Sequence, residues 1–146
     1  MFSQSWRSQS ETQTREIADR FAAQLAAGDR VLLIGDLGAG KTVFAQGLVA
    51  HFDQDIEVTS PSYALVHAYP TTPQIFHIDL YRITDDNDLA DLGFDEYLES
   101  DGIVVIEWAE KCRKHWPQRY YRVMLKMVAE TERLITIEEI GDAAGG

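Results

Sequence analysis

The chain has 146 residues, enough for one domain with a real core and too few for two ordinary ones. A formal net charge of −11 and a sequence pI near 4.6 argue against a general nucleic-acid binder, because such a chain repels phosphates unless it segregates a basic patch. No apolar stretch reaches membrane-span length, and a single cysteine, Cys112, excludes an internal disulfide, so no membrane contact and a cytoplasmic location are expected.

The segment through Trp6 lacks a signal peptide's apolar region. Ser8-Gln9-Ser10-Glu11 fits a capping box, and Ile17, Phe21, Ala22 and Leu25 form the stripe of the helix it opens, closed by Gly28. Val31-Leu32-Leu33-Ile34 reads as a buried strand, and residues after the next loop recur at helical spacing to Phe52. Thr59-Ser60-Pro61-Ser62 is a polar connection, followed by strands over 63–69 and 74–81. Short helices follow at 84–92, closed by Gly93, and at 94–98. Ile103-Val104-Val105-Ile106 is a strong buried strand, residues 108–115 read as helical, and 120–128 and 134–140 form a closing hairpin. The alternation predicts an α/β fold: a P-loop NTPase-like sheet with parallel central strands flanked by helices, and a C-terminal antiparallel hairpin. One domain is expected over 1–146, with an ordered core at about 8–140 and a flexible tail at 141–146.

Gly35-Asp36-Leu37-Gly38-Ala39-Gly40-Lys41-Thr42 matches the phosphate-loop (Walker A) pattern G-x-x-x-x-G-K-[S/T] without a mismatch, between a strand and a helix. In that context the loop's backbone N–H groups and the helix N-terminus form an anion site. Lys41 is expected to reach the β- and γ-phosphates, and the Thr42 hydroxyl to ligate Mg²⁺. Hydrolysis also needs carboxylates at the ends of apolar strands, where they can face the metal and a water. Asp79 and Glu107 both stand at such ends. Trp108, next to Glu107, suits either stacking on a purine or packing. His77 reads as a satisfied core or edge residue rather than a base, and Cys112 as a buried thiol. Residues 59–63 are the candidate switch loop. Lys111, Arg113, Lys114 and His115 read as a solvated helix end. Asp85, Asp86, Asp88 and Asp91 form an acidic face, either solvated or suited to a partner's basic patch.

These segments together resemble the TsaE (formerly YjeE) family, bacterial P-loop ATPases of tRNA threonylcarbamoyladenosine synthesis. The resemblance rests on GDLGAGKT at 35–42, SPSYALV at 60–66, HIDLYR at 77–82, DLGFDEYL at 91–98 and VIEW at 105–108. It implies an ATP- and Mg²⁺-dependent ATPase, slow alone, that works with the TsaB and TsaD proteins and meets tRNA only through that complex. It further implies that Lys41 and the loop amides bind phosphate and that Thr42 and Glu107 ligate Mg²⁺. Asp79 would then be the acid essential to hydrolysis, and Trp108 would lie close to the nucleotide. Glu11 and Thr14 would approach the adenine side, with Arg133 a further nucleotide contact. Ser62 stands where the family usually has Thr, and Val43 where it often has Thr. A small metabolite or nucleotide kinase and a regulatory ATP-binding module with negligible turnover stay open as alternatives. A GTPase is disfavoured by the lack of N-K-x-D and of D-x-x-G after Ile78.

Overall fold

The two strongest apolar runs of the sequence lie side by side at the centre of a mixed sheet. The computed structural model describes residues 3–59 and 65–141. In chain order it contains β1 (Ser3–Ser8), α1 (Glu11–Ala22), β2 (Arg30–Ile34), α2 (Lys41–Phe52), β3 (Val66–Tyr69) and β4 (Ile75–Asp79). These are followed by α3 (Asp86–Leu92), α4 (Phe94–Leu98), β5 (Ile103–Glu107), a 3₁₀ segment (Ala109–His115), β6 (Tyr120–Ala129) and β7 (Glu132–Ile140). The strand order is β1-β7-β6-β2-β5-β4-β3. β2 runs parallel to β5 and β6, and β4 runs parallel to β5. The β6–β7, β1–β7 and β3–β4 pairs are antiparallel, so the expected fold class holds.

Strand alternation sorts the core into two layers. Val31, Leu33, Ile75, Ile103 and Val105 pack with Phe21, Phe44 and Leu48 of α1 and α2. Leu32, Ile78, Val104 and Ile106 pack on the other face with Leu89, Phe94 and Cys112. By the same alternation His77 and Asp79 share a face with Ile75, and Glu107 shares it with Val105, the face that carries α2.

Four details depart from the sequence expectations. Ser10, not Ser8, caps α1: its side chain accepts from the Gln13 N–H at 3.1 Å. Ser8 instead ends β1, a polar edge strand held by its pairing with β7 and by Trp6 against the core. The helix stops at Ala22, and Gly28, at φ +89°, belongs to the following turn. β3 begins at Val66, and residues 60–64, which include all of the candidate switch loop but Thr59, lie outside the described residues, as does the tail from 142.

α1 and α2 cross closely at Gly47. A Cβ there would fall 2.7 Å from the Arg15 Cα and 2.9 Å from the Ala18 Cβ, inside backbone that cannot yield cheaply. This crossing sets the N-terminal ends of both helices beside the same cleft. Gly47→Ala is expected to cost about 1–3 kcal/mol of stability, the usual penalty of overpacking, read as a lower urea midpoint. An unchanged midpoint would show that the helices separate freely.

Burial pushes the Cys112 thiol up to about 12, against an ordinary value of 9.0. Keeping that thiol protonated contributes stability fully below about pH 9, and the contribution is lost as pH rises toward 12. Iodoacetamide at pH 8.5 should label Cys112 slowly in the native chain and completely in urea. Equal rates would contradict the buried thiol.

Candidate functional site

The loop from Gly35 to Gly40 leaves the end of β2 and feeds directly into α2. Gly38 and Gly40 take φ of +82° and +100°, conformations a side chain would strain. Gly40 is the N-cap residue of α2 and carries no side-chain cap, so the first N–H groups of that helix stay available to an anion. Asp36, Leu37 and Ala39 complete the turn, with Leu37 72% exposed and Ala39 buried.

Lys41 opens α2 and is buried. Its Nζ donates to the Gly35 carbonyl and, at 3.1 Å, to the Asp36 carbonyl. The ammonium also lies 3.9 Å from the centroid of the Trp108 ring. Burial lowers the Lys41 pKa, and Glu107, then Glu110, Asp79 and Asp36, oppose that shift. Trp108 holds a left-handed φ of +58°, strained for a bulky residue, and packs 5.1 Å from the Tyr81 ring.

The two acids lie opposite each other. Register pairs Asp79 with Glu107 at the C-terminal ends of β4 and β5, and each is 2% exposed. Glu107 accepts from the Thr42 hydroxyl at 3.3 and 3.4 Å and lies 2.5 Å from His77 Nε2. Asp79 Oδ1 accepts from the Tyr81 N–H at 2.9 Å. Burial first and the Glu107 charge second raise the Tyr69 phenol pKa.

These residues line a cleft of about 870 Å³. One wall is the loop from Leu37 to Thr42; the inner end is Asp79, Glu107 and Trp108; Tyr81 and Arg82 border it. The rest of the lining comes from Glu11 and Thr14 of α1 and from Glu130, Thr131 and Arg133 at the β6–β7 turn. Thr14 is buried and bonded to Ser8 at 2.7 Å, while Glu11 is exposed. Arg133 donates to the Ala129, Glu130 and Glu132 carbonyls at 3.2 Å and to the Gly38 carbonyl at 3.1 Å, tying the hairpin tip to the loop.

A family model described as threonylcarbamoyl adenosine biosynthesis protein TsaE matches residues 8–135. The chain belongs to the TsaE family. Membership assigns it to threonylcarbamoyladenosine biosynthesis in tRNA. The tRNA threonylcarbamoyladenosine biosynthesis protein TsaE of Bacillus subtilis is 34% identical over 94% of this chain and 86% of its own length. The protein of that name from Mycobacterium bovis is 38% identical over 84% and 78%, and that of Rickettsia typhi 36% over 89% and 91%. The crystal structure of Bacillus subtilis YdiB superposes with a TM-score of 0.80 at 30% identity, covering 96% of this chain and 87% of that one.

In this TsaE-family chain Leu37 to Thr42, Asp79, Glu107, Trp108, Glu11, Thr14 and Arg133 line one cleft, whereas Gly35 and Asp36 do not line it and hold Lys41 through their carbonyls; Ser62 lies outside the described residues. The sequence misses His77 as the partner of Glu107, and Glu130 and Thr131 as part of the wall. The signal for His77 was its spacing: two residues before Asp79 on a strand, it must face the same side. A phosphate drawn to Lys41 would pull the ammonium from the Trp108 ring. Titration with ATP should therefore change the tryptophan emission of the native chain and not of Trp108→Phe. A change that survives in Trp108→Phe would belong to Trp6 or Trp116 and contradict the contact.

Proposed function

We propose that the chain is a single-domain P-loop ATPase, a subunit that binds and hydrolyses ATP in cytoplasmic tRNA threonylcarbamoyladenosine modification, acting with TsaB and TsaD. The observation that carries this is the facing pair of carboxylates, Asp79 and Glu107, across from a complete phosphate loop in one cleft. A binding module alone would have no need to bury two acids beside a bound anion, where they repel it.

The chemistry of the donors fits Mg²⁺. A Thr hydroxyl and a carboxylate are hard oxygen ligands, and Mg²⁺ is usually held by one or two carboxylates plus substrate phosphates. Thr42 and Glu107 would hold the ion, which when bound draws charge from the β- and γ-phosphates. The loop N–H groups and the α2 N-terminus receive the phosphates, and Lys41 exchanges its carbonyl partners for phosphate oxygens. Asp79, held by the Tyr81 N–H, would accept a proton of the attacking water as its oxygen bonds the γ-phosphorus and the bond to the bridging oxygen of the leaving ADP breaks. The wall formed by α1 and the β6–β7 turn suits the nucleoside, with Glu11, Thr14 and Arg133 beside it.

Turnover alone is expected to be slow. Arg133 is committed to backbone carbonyls. A stabilising cation supplied by a partner can contribute roughly 10³-fold or more. Among the described residues no helix is long and apolar enough to cross a membrane.

Phosphate release tests this reading. Release should depend on Mg²⁺, be slow alone and rise with TsaB–TsaD. Lys41→Ala and Glu107→Ala, folded by circular dichroism, should each lose about 10²-fold or more, in the range expected for removing a group that stabilises developing charge. Phosphate recovered on a small-molecule acceptor would mean a kinase. ATP binding without turnover, even beside the partners, would mean a binding module.

A further inference from the structure

Glu107 lines the cleft but is only 2% exposed, so water serves its carboxylate poorly. An ionised carboxylate so buried needs donors, and it accepts only. Its bonds to Thr42 are long, at 3.3 and 3.4 Å, whereas His77 Nε2 is 2.5 Å away. His77 is fully buried on β4, on the strand face that carries Asp79, and its partner Glu107 is at the end of the neighbouring β5. Among the described residues its Nδ1 has no partner. A neutral imidazole has one N–H and one lone pair. With the proton on Nε2, the N–H meets the carboxylate and only a lone pair is left unsatisfied at Nδ1. With the proton on Nδ1, a buried N–H would be stranded and two acceptors would face each other at 2.5 Å.

We propose that His77 is a positioning residue for Glu107: its Nε2–H holds the carboxylate toward the Thr42 hydroxyl and a divalent cation. This rests on the metal-binding reading above and names a residue that reading does not use. The Lys41 ammonium is the alternative partner: among the carboxylates that favour it, Glu107 contributes most, and both residues line the same cleft. Without the His77 bond the carboxylate can turn to that ammonium and withdraw both groups from the nucleotide. His77 anchors it from the sheet side, while Thr42 meets it from the helix side. Supports of this kind behind a metal ligand contribute about 10- to 100-fold in metal affinity.

The test compares affinity for a non-hydrolysable ATP analogue with Mg²⁺ and with EDTA, in the full chain. In wild type, Mg²⁺ should tighten binding. His77→Leu should lose about tenfold of that metal-dependent gain and leave the EDTA affinity unchanged. His77→Gln, which keeps an N–H near the Nε2 position, should recover most of it, whereas His77→Asn, polar but too short, should not. In a Glu107→Ala background, His77→Leu should have no further effect. Long-range ¹H–¹⁵N spectra of the wild-type chain should show the Nε2-protonated tautomer of His77, a readout that needs no variant to fold. An Nδ1-protonated ring, an unchanged metal gain in His77→Leu, or equal losses with and without metal would overturn the proposal alone. No metal gain in wild type would overturn the metal-binding reading and this proposal with it.

Discussion

Glu107, Asp79 and Lys41 are all nearly cut off from water within one cleft, and the rest of the fold is arranged around that constraint. A buried charge is tolerable only with partners. Lys41 has the Gly35 and Asp36 carbonyls and the Trp108 ring; Glu107 has Thr42 and His77; Asp79 has the Tyr81 N–H. These partners come from the phosphate loop, α2, β4 and β5, so the site exists only when all of them are in register. The parallel pairing of β4 with β5 is the part that cannot slip. A shift of one residue would send Glu107 to the opposite face and leave it among Leu32 and Ile78.

The close α1–α2 crossing has a related consequence. It sets the start of α1 and the phosphate loop around one cleft, so one helix pair supplies two parts of its lining. The β6–β7 turn supplies the remainder, joined to the loop by Arg133 and the Gly38 carbonyl. The hairpin tip and Trp108 both touch the loop, the first through Arg133 and the second through Lys41. The exposed Leu37 and Met127 lie on this same rim, where Met127 approaches Gly38.

Much of this was legible in the chain. The phosphate loop follows a local pattern, so its strand, turn and helix could be read residue by residue. α4 and the β6–β7 hairpin were likewise set by short-range spacing and turn residues. β1 was not legible: Ser3–Ser8 has one large apolar residue, Trp6, and is a strand only because β7 offers it an edge. The cap of α1 was misplaced by two residues for the same reason, since β1 claims Ser8 and leaves Ser10 to cap the helix.

The sequence by itself determined that a phosphate loop and two strand-end acids exist, because strand parity and loop chemistry are local properties of a few neighbouring residues. Its motif set also pointed to the TsaE family. Only the tertiary structure decided that Asp79 and Glu107 lie opposite each other, that Trp108 covers Lys41, and that His77 serves Glu107. Those contacts join residues 28 to 67 positions apart, and their distances depend on which strands pair and in what register. Pairing of that kind is set by the burial of both faces of the sheet, a property of the whole chain rather than of any segment.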